Sequence, residues 1–119
     1  LGPDHPKTLI ACSNLAGAYR AVGRLGKAIE LYERVLAERE KLLGPDHPKT
    51  LITRNNLAAA YHSAGHFDEA INVWEELLPD CQRVLGREHP LTKRVEKNLE
   101  AAKRKMNPPD APSPETGED

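Results

Sequence analysis

The stretch Leu1-Gly2-Pro3-Asp4-His5-Pro6-Lys7-Thr8-Leu9-Ile10 recurs residue for residue forty-two positions later as Leu43 to Ile52. An altered third copy, Leu85-Gly86-Arg87-Glu88-His89-Pro90, follows at the same interval. A fixed period of this length marks a repeat array, because a unit that cannot bury its own apolar face must stack on a neighbour. The full copies, residues 1–42 and 43–84, agree at about half their positions, among them Asn14/Asn56, Leu15/Leu57, Tyr19/Tyr61 and Gly23/Gly65. The third copy keeps Gly86, His89, Pro90, Thr92, Asn98 and Leu99 but carries Lys103 where the others have tyrosine. A terminal element with one wetted face is expected to fade in this way.

Within each copy the apolar residues recur at helical intervals, so the chain is expected to be all-α, built of antiparallel helix pairs. Pro6 is placed to open the first helix, with His5 or Asp4 as its cap, and Gly23 to close it. Leu9, Cys12, Leu15, Ala16, Tyr19 and Val22 form its apolar side. Leu25, Ala28, Ile29, Tyr32, Val35, Leu36 and Leu42 do the same for the second helix, which closes near Gly44. The second copy repeats the plan through Leu51, Leu57, Ala58 and Tyr61, then Phe67, Ala70, Ile71, Trp74, Leu77 and Leu78. Pro79 predicts a kink or a break, since proline deletes a backbone donor and crowds the preceding turn. A fifth, capping helix is expected from Pro90 to about Met106. Residues 107–119 lack apolar groups to offset their ordering entropy and are expected to be a disordered, acidic, proline-rich tail.

The formal net charge is −1, yet the tail holds four acids and no base, which leaves residues 1–106 with 17 bases against 14 acids. That weak surplus gives no concentrated basic stripe, so nucleic acid is not expected as a partner. No apolar run is long enough for a membrane span. Cys12 and Cys81 occupy non-equivalent repeat positions without a CxxC pair, which predicts reduced thiols and a cytoplasmic protein. The chain opens on a repeat boundary without Met and reads as a piece of a longer array. No P-loop, glycine-rich dinucleotide turn, nucleophile elbow or HExxH is present, so neither an enzyme nor a cofactor is expected. His62 and His66 have zinc-compatible spacing, but Gly65 interrupts them and no third ligand is evident, so no metal is expected.

The patterns Leu15-Ala16-x-x-Tyr19, Gly23 and Ala28-x-x-x-Tyr32, repeated as Leu57-Ala58-x-x-Tyr61, Gly65 and Ala70-x-x-x-Trp74, resemble the tetratricopeptide repeat. The longer period and the Leu-Gly-Pro-Asp-His-Pro linker are most similar to repeats of the kinesin light chain type and to arrays at the ends of bacterial signalling ATPases. Glu40 and Gln82 replace the family's closing proline, and Cys12 and Arg54 stand where it often has tryptophan. The resemblance implies a right-handed superhelical solenoid, two full repeats plus a capping helix, whose first helices line a concave peptide-binding groove. It also implies that the groove asparagines are Asn14, Asn56 and Asn98.

The residues lead to the same face. Positions 10, 14, 17 and 21 and their counterparts share one helix stripe, so an amide recurs at one height beside Gly17, Ala59 and Ala101. An asparagine can pair with both N–H and C=O of an extended chain whatever its side chains. Neighbouring helices lie roughly 8–10 Å apart, which matches about three residues of extended peptide. Ser13, Arg20, Asn55, His62, Lys97 and Arg104 flank the amides without an acid among them, so the groove is expected to prefer acidic or phosphorylated segments. The expected function is a non-catalytic scaffold for protein segments. The alternatives are an oligomerisation module, self-associating through the exposed edge of the first repeat, or a sensor arm of a larger signalling ATPase. The acidic tail is a further expected occupant of the groove.

Overall fold

In the computed structural model, which describes residues 6–106, the chain forms five helices: α1 (Pro6–Ala21), α2 (Leu25–Leu43), α3 (Pro48–Ser63), α4 (Phe67–Leu85) and α5 (Pro90–Met106). The expected tail, its visit to the groove and the cap at Asp4 or His5 lie outside the described residues. The linker histidines show what the recurring His-Pro pair does. His47 has extended backbone, and its Nδ1 accepts from the Lys49 N–H at 3.1 Å while Pro48 opens α3. His89 repeats the contact to the Leu91 N–H at 3.0 Å. A proline at the first helical position loses a donor that had no intrahelical partner anyway, and the imidazole satisfies the next one.

Helices within a pair are joined by a glycine in the left-handed region. At Gly65 (φ 82°) the His66 N–H reaches back to the Tyr61 carbonyl at 2.9 Å and the Gly65 N–H to His62 at 3.0 Å. Gly23 does the same for α1. This closure satisfies carbonyls that the helix end leaves free and needs a residue without Cβ at the positive-φ position.

Successive helices pack on one another along the chain, and the first helices α1, α3 and α5 also meet side by side. One core joins the pairs across Ala16, Ala28, Tyr32, Leu57 and Ala60. A larger one holds Leu51, Ala58, Ala70, Trp74, Leu77, Cys81, Leu91, Val95, Leu99 and Ala102. Arg39 is buried at the first joint, where it donates to Thr53 Oγ1 at 2.9 Å, and desolvation lowers its pKa. On the outer side Arg54, in the tryptophan position, pairs with Asp80 at 2.8 Å and holds that carboxyl below its usual range.

Two expectations about burial and continuity are corrected. Helix α4 is not broken at Pro79 but runs on to Leu85. Pro79 lies on the exposed face, so the Glu75 carbonyl it leaves unpaired can turn to water, while Trp74, Leu77 and Cys81 anchor the helix on its other side. Leu15, Val22 and Leu42, assigned to apolar sides, are 47, 72 and 46% exposed, because periodicity identifies a face but not whether a neighbour covers it.

Candidate functional site

The inner side of α3 and α5 forms an open groove of about 330 Å³, lined by Arg20, Asn55, Asn56, Ala59, His62, Trp74, Arg94, Asn98 and Ala101. Its floor is made of small and amide side chains, as the recurring stripe requires. Arg20 enters from α1, where its Nε donates to Ser63 Oγ on α3 at 3.2 Å. Arg94 enters from α5 at the height that the other repeats give to Ile10 and Ile52. No carboxylate is among the lining residues, so the field in the groove is positive.

The asparagines divide into two kinds. Asn55 is buried, and its Oδ1 accepts from Trp74 Nε1 at 2.8 Å and from Asn98 Nδ2 at 3.2 Å. Its acceptor is therefore committed to holding α3, α4 and α5 in register, leaving Asn56 and Asn98 as the half-buried amides that meet the groove. Of the eleven residues expected from sequence, Asn55, Asn56, Asn98, Arg20, Ala59 and His62 line this groove. Asn14, Ser13, Gly17, Lys97 and Arg104 do not; Asn14, Lys97 and Arg104 lie exposed beyond it. The groove is thus centred one repeat later than a clamp built on Asn14 and Asn56 requires. Trp74 escaped the sequence reading because it belongs to the second helix of its pair, assigned wholly to the core. Its signal was a paired change: Trp74 and Asn55 replace Tyr32 and Ser13 of the first copy.

His62 sits at the end of the groove, edge-on to Phe67 with centroids 5.0 Å apart and 5.9 Å from Trp74. Its Nε2 is buried without a hydrogen-bond partner, and burial, then the charges of Lys105 and Arg20, lower its pKa. No group of three or more metal-ligating side chains occurs among the described residues, and none of their helices is long and apolar enough to cross a membrane. Both cysteines are free thiols, with Cys81 buried and its pKa raised by desolvation.

Two stacked helix pairs with glycine closures, a shared inner stripe and a capping helix are the architecture that the repeat signature implies, and a tetratricopeptide repeat family model matches residues 9–80. The chain belongs to the tetratricopeptide repeat family. Its repeats are of the kinesin light chain type: 42 residues are 57% identical to KINESIN LIGHT CHAIN-RELATED 2 and, equally, to KINESIN LIGHT CHAIN-RELATED 3 of Arabidopsis thaliana. That match covers 35% of the chain but only 6% of either plant protein. Among solved structures, nearly identical TPR-like repeats of a kinesin light chain candidate from Podosopora anserina superpose in two forms. A single-substitution form gives a TM-score of 0.76 at 34% identity, over 87% of this chain and 49% of that one. The second gives 0.67 at 27% identity, over 91% and 61%. Tetratricopeptide repeats generally mediate protein–protein interaction.

Proposed function

We propose that this chain is a non-catalytic interaction scaffold that holds an extended acidic segment of another protein in the groove between α3 and α5. The observation that carries this reading is the groove's composition: Arg20, Arg94 and His62 around three amides, with no carboxylate lining it. Asn56 and Asn98 pair with the backbone of the segment, which gives affinity independent of side chain. Arg20 and Arg94 supply charge-assisted hydrogen bonds to carboxylates, which give the preference for acid. Asn55 and Trp74 hold the floor in place. The free, buried Cys81 fits a reducing, cytoplasmic setting.

Fluorescence anisotropy with a labelled glutamate-rich peptide and its glutamine counterpart tests the reading. The acidic peptide binds more tightly, and the difference shrinks as salt rises. Arg20→Ala with Arg94→Ala removes the preference, costing about tenfold to a hundredfold in affinity for the acidic peptide. Asn56→Ala with Asn98→Ala weakens both peptides while the circular dichroism spectrum is retained. Equal affinity for the two peptides, or binding indifferent to all four substitutions, sinks the assignment.

A further inference from the structure

The outer side of the joint between the two full pairs holds a second groove, of about 320 Å³, with a helix pair on each flank. The buried Leu57 of α3 and the half-buried Leu36 of α2 and Val73 of α4 give it apolar walls. Its charged lining is Glu40 of α2, Arg54 of α3, and Glu76 and Asp80 of α4. Arg54 does not offset these acids, because its charge is already spent. It pairs with Asp80 at 2.8 Å, Asp80 with Arg83 at 3.2 Å and Arg83 with Asp46 at 2.9 Å, so two arginines and two aspartates close a neutral chain.

Glu40 and Glu76 stand outside that chain. Among the described residues neither side chain has an ion-pair or hydrogen-bond partner, and both are exposed. The arrangement is particular to this joint rather than to the repeat. The joint between the second pair and α5 keeps the apolar positions as Leu78 and Leu99, but Gln82 replaces Glu40, Arg87 replaces Pro45 of the groove lining, and Glu96 replaces Arg54.

Two unpaired carboxylates on two different helices, beside apolar walls, fit a cation with an apolar stem and a forked head. We propose that this groove binds an arginine side chain presented by a segment of another protein, its methylenes lying on Leu36, Leu57 and Val73 and its guanidinium bridging Glu40 and Glu76. A guanidinium is planar and weakly hydrated and can donate to both carboxylates at once, whereas an ammonium is a compact, strongly hydrated point charge. The stem covers apolar surface while the head stays at the rim. The site lies on the opposite side from the peptide groove and takes the opposite charge, so either reading can fail alone.

The probe is a labelled peptide with one arginine flanked by apolar residues, beside its lysine and citrulline counterparts, followed by fluorescence anisotropy at low salt. The arginine peptide binds most tightly, the lysine peptide less so, and the citrulline peptide, which keeps the shape without the charge, at least about tenfold more weakly. Glu40→Gln with Glu76→Gln weakens the arginine peptide at least about tenfold, with the circular dichroism spectrum and the affinity for the glutamate-rich peptide retained. Glu96→Gln with Glu100→Gln removes the same charge from α5 and leaves binding unchanged. The methyl resonances of Leu36, Leu57 and Val73 shift on titration. Equal weakening by the two pairs of substitutions reduces the effect to general surface charge and overturns the site, as do equal affinities for the arginine and citrulline peptides or methyl resonances that stay in place. Self-association in light scattering that Glu40→Gln with Glu76→Gln abolishes assigns the groove to a second copy instead and likewise overturns the proposal.

Discussion

Asn55 accepts from two donors on two other helices, so its removal uncouples three elements at once. Asn55→Leu leaves the buried Trp74 N–H without an acceptor and costs about 1–3 kcal/mol. In a domain of this size each kcal/mol lowers the melting midpoint by roughly 4–8 °C. Thermal denaturation of Asn55→Leu beside Asn56→Ala checks the division of the amides, since the second variant melts close to the parent. His62 gives a pH signature. Its folded pKa lies below the ordinary 6.5, so the unfolded chain binds the proton first. The stability this group contributes is complete above about pH 6.5 and is lost as pH falls from there through the folded value. Urea midpoints between pH 8 and pH 5 show a decline that is shallower in His62→Gln; parallel curves refute the assignment. Sequence placed His62 on the groove side from its repeat position, but its protonation depends on Phe67, Lys105 and Arg20, brought near only by the hairpin and its stacking.

At the scale of the element, most boundaries were legible because the residues that set them act locally. Pro48 and Pro90 open helices, their histidines cap the next N–H, and a positive-φ glycine closes each pair, all through contacts within a few residues. The break expected at Pro79 does not occur, because distant residues decide its effect. Local propensity disfavours it by about 3 kcal/mol, yet Trp74, Leu77 and Cys81 bury the opposite face of α4 and hold the helix together. Pro79→Ala restores the N–H that can reach the Glu75 carbonyl and stabilises the chain by about 1–3 kcal/mol. Chemical denaturation with an unchanged m-value is the expected readout; a destabilised variant would show that the proline is accommodated by a bend the packing requires.

For the whole molecule, the period made the stacking legible, whereas the centre of the groove was not, because the three first helices are equivalent in sequence but unequal in neighbours. Helix α3 has a hairpin on one side and a helix on the other, and it is there that Asn55 is buried and Asn56 meets an open trough. In a linear array stability is approximately the sum of each unit's own term and its joints. The first pair has one covered joint, the second has two, and the loss of apolar burial is concrete at Leu15 against Leu57. The array therefore opens from its first pair before it unfolds globally. Native-state hydrogen exchange reads this directly: amides around Ala16 exchange faster than those around Ala58, although both side chains are fully buried and their local sequences nearly coincide. Leu57→Ala weakens the one joint the two pairs share, so protection falls in α1 as well as in α3 and the difference between them persists. Equal protection of the two helices in the parent chain would mean that the pairs unfold as a single cooperative unit, and that joint energies no longer describe where this solenoid yields.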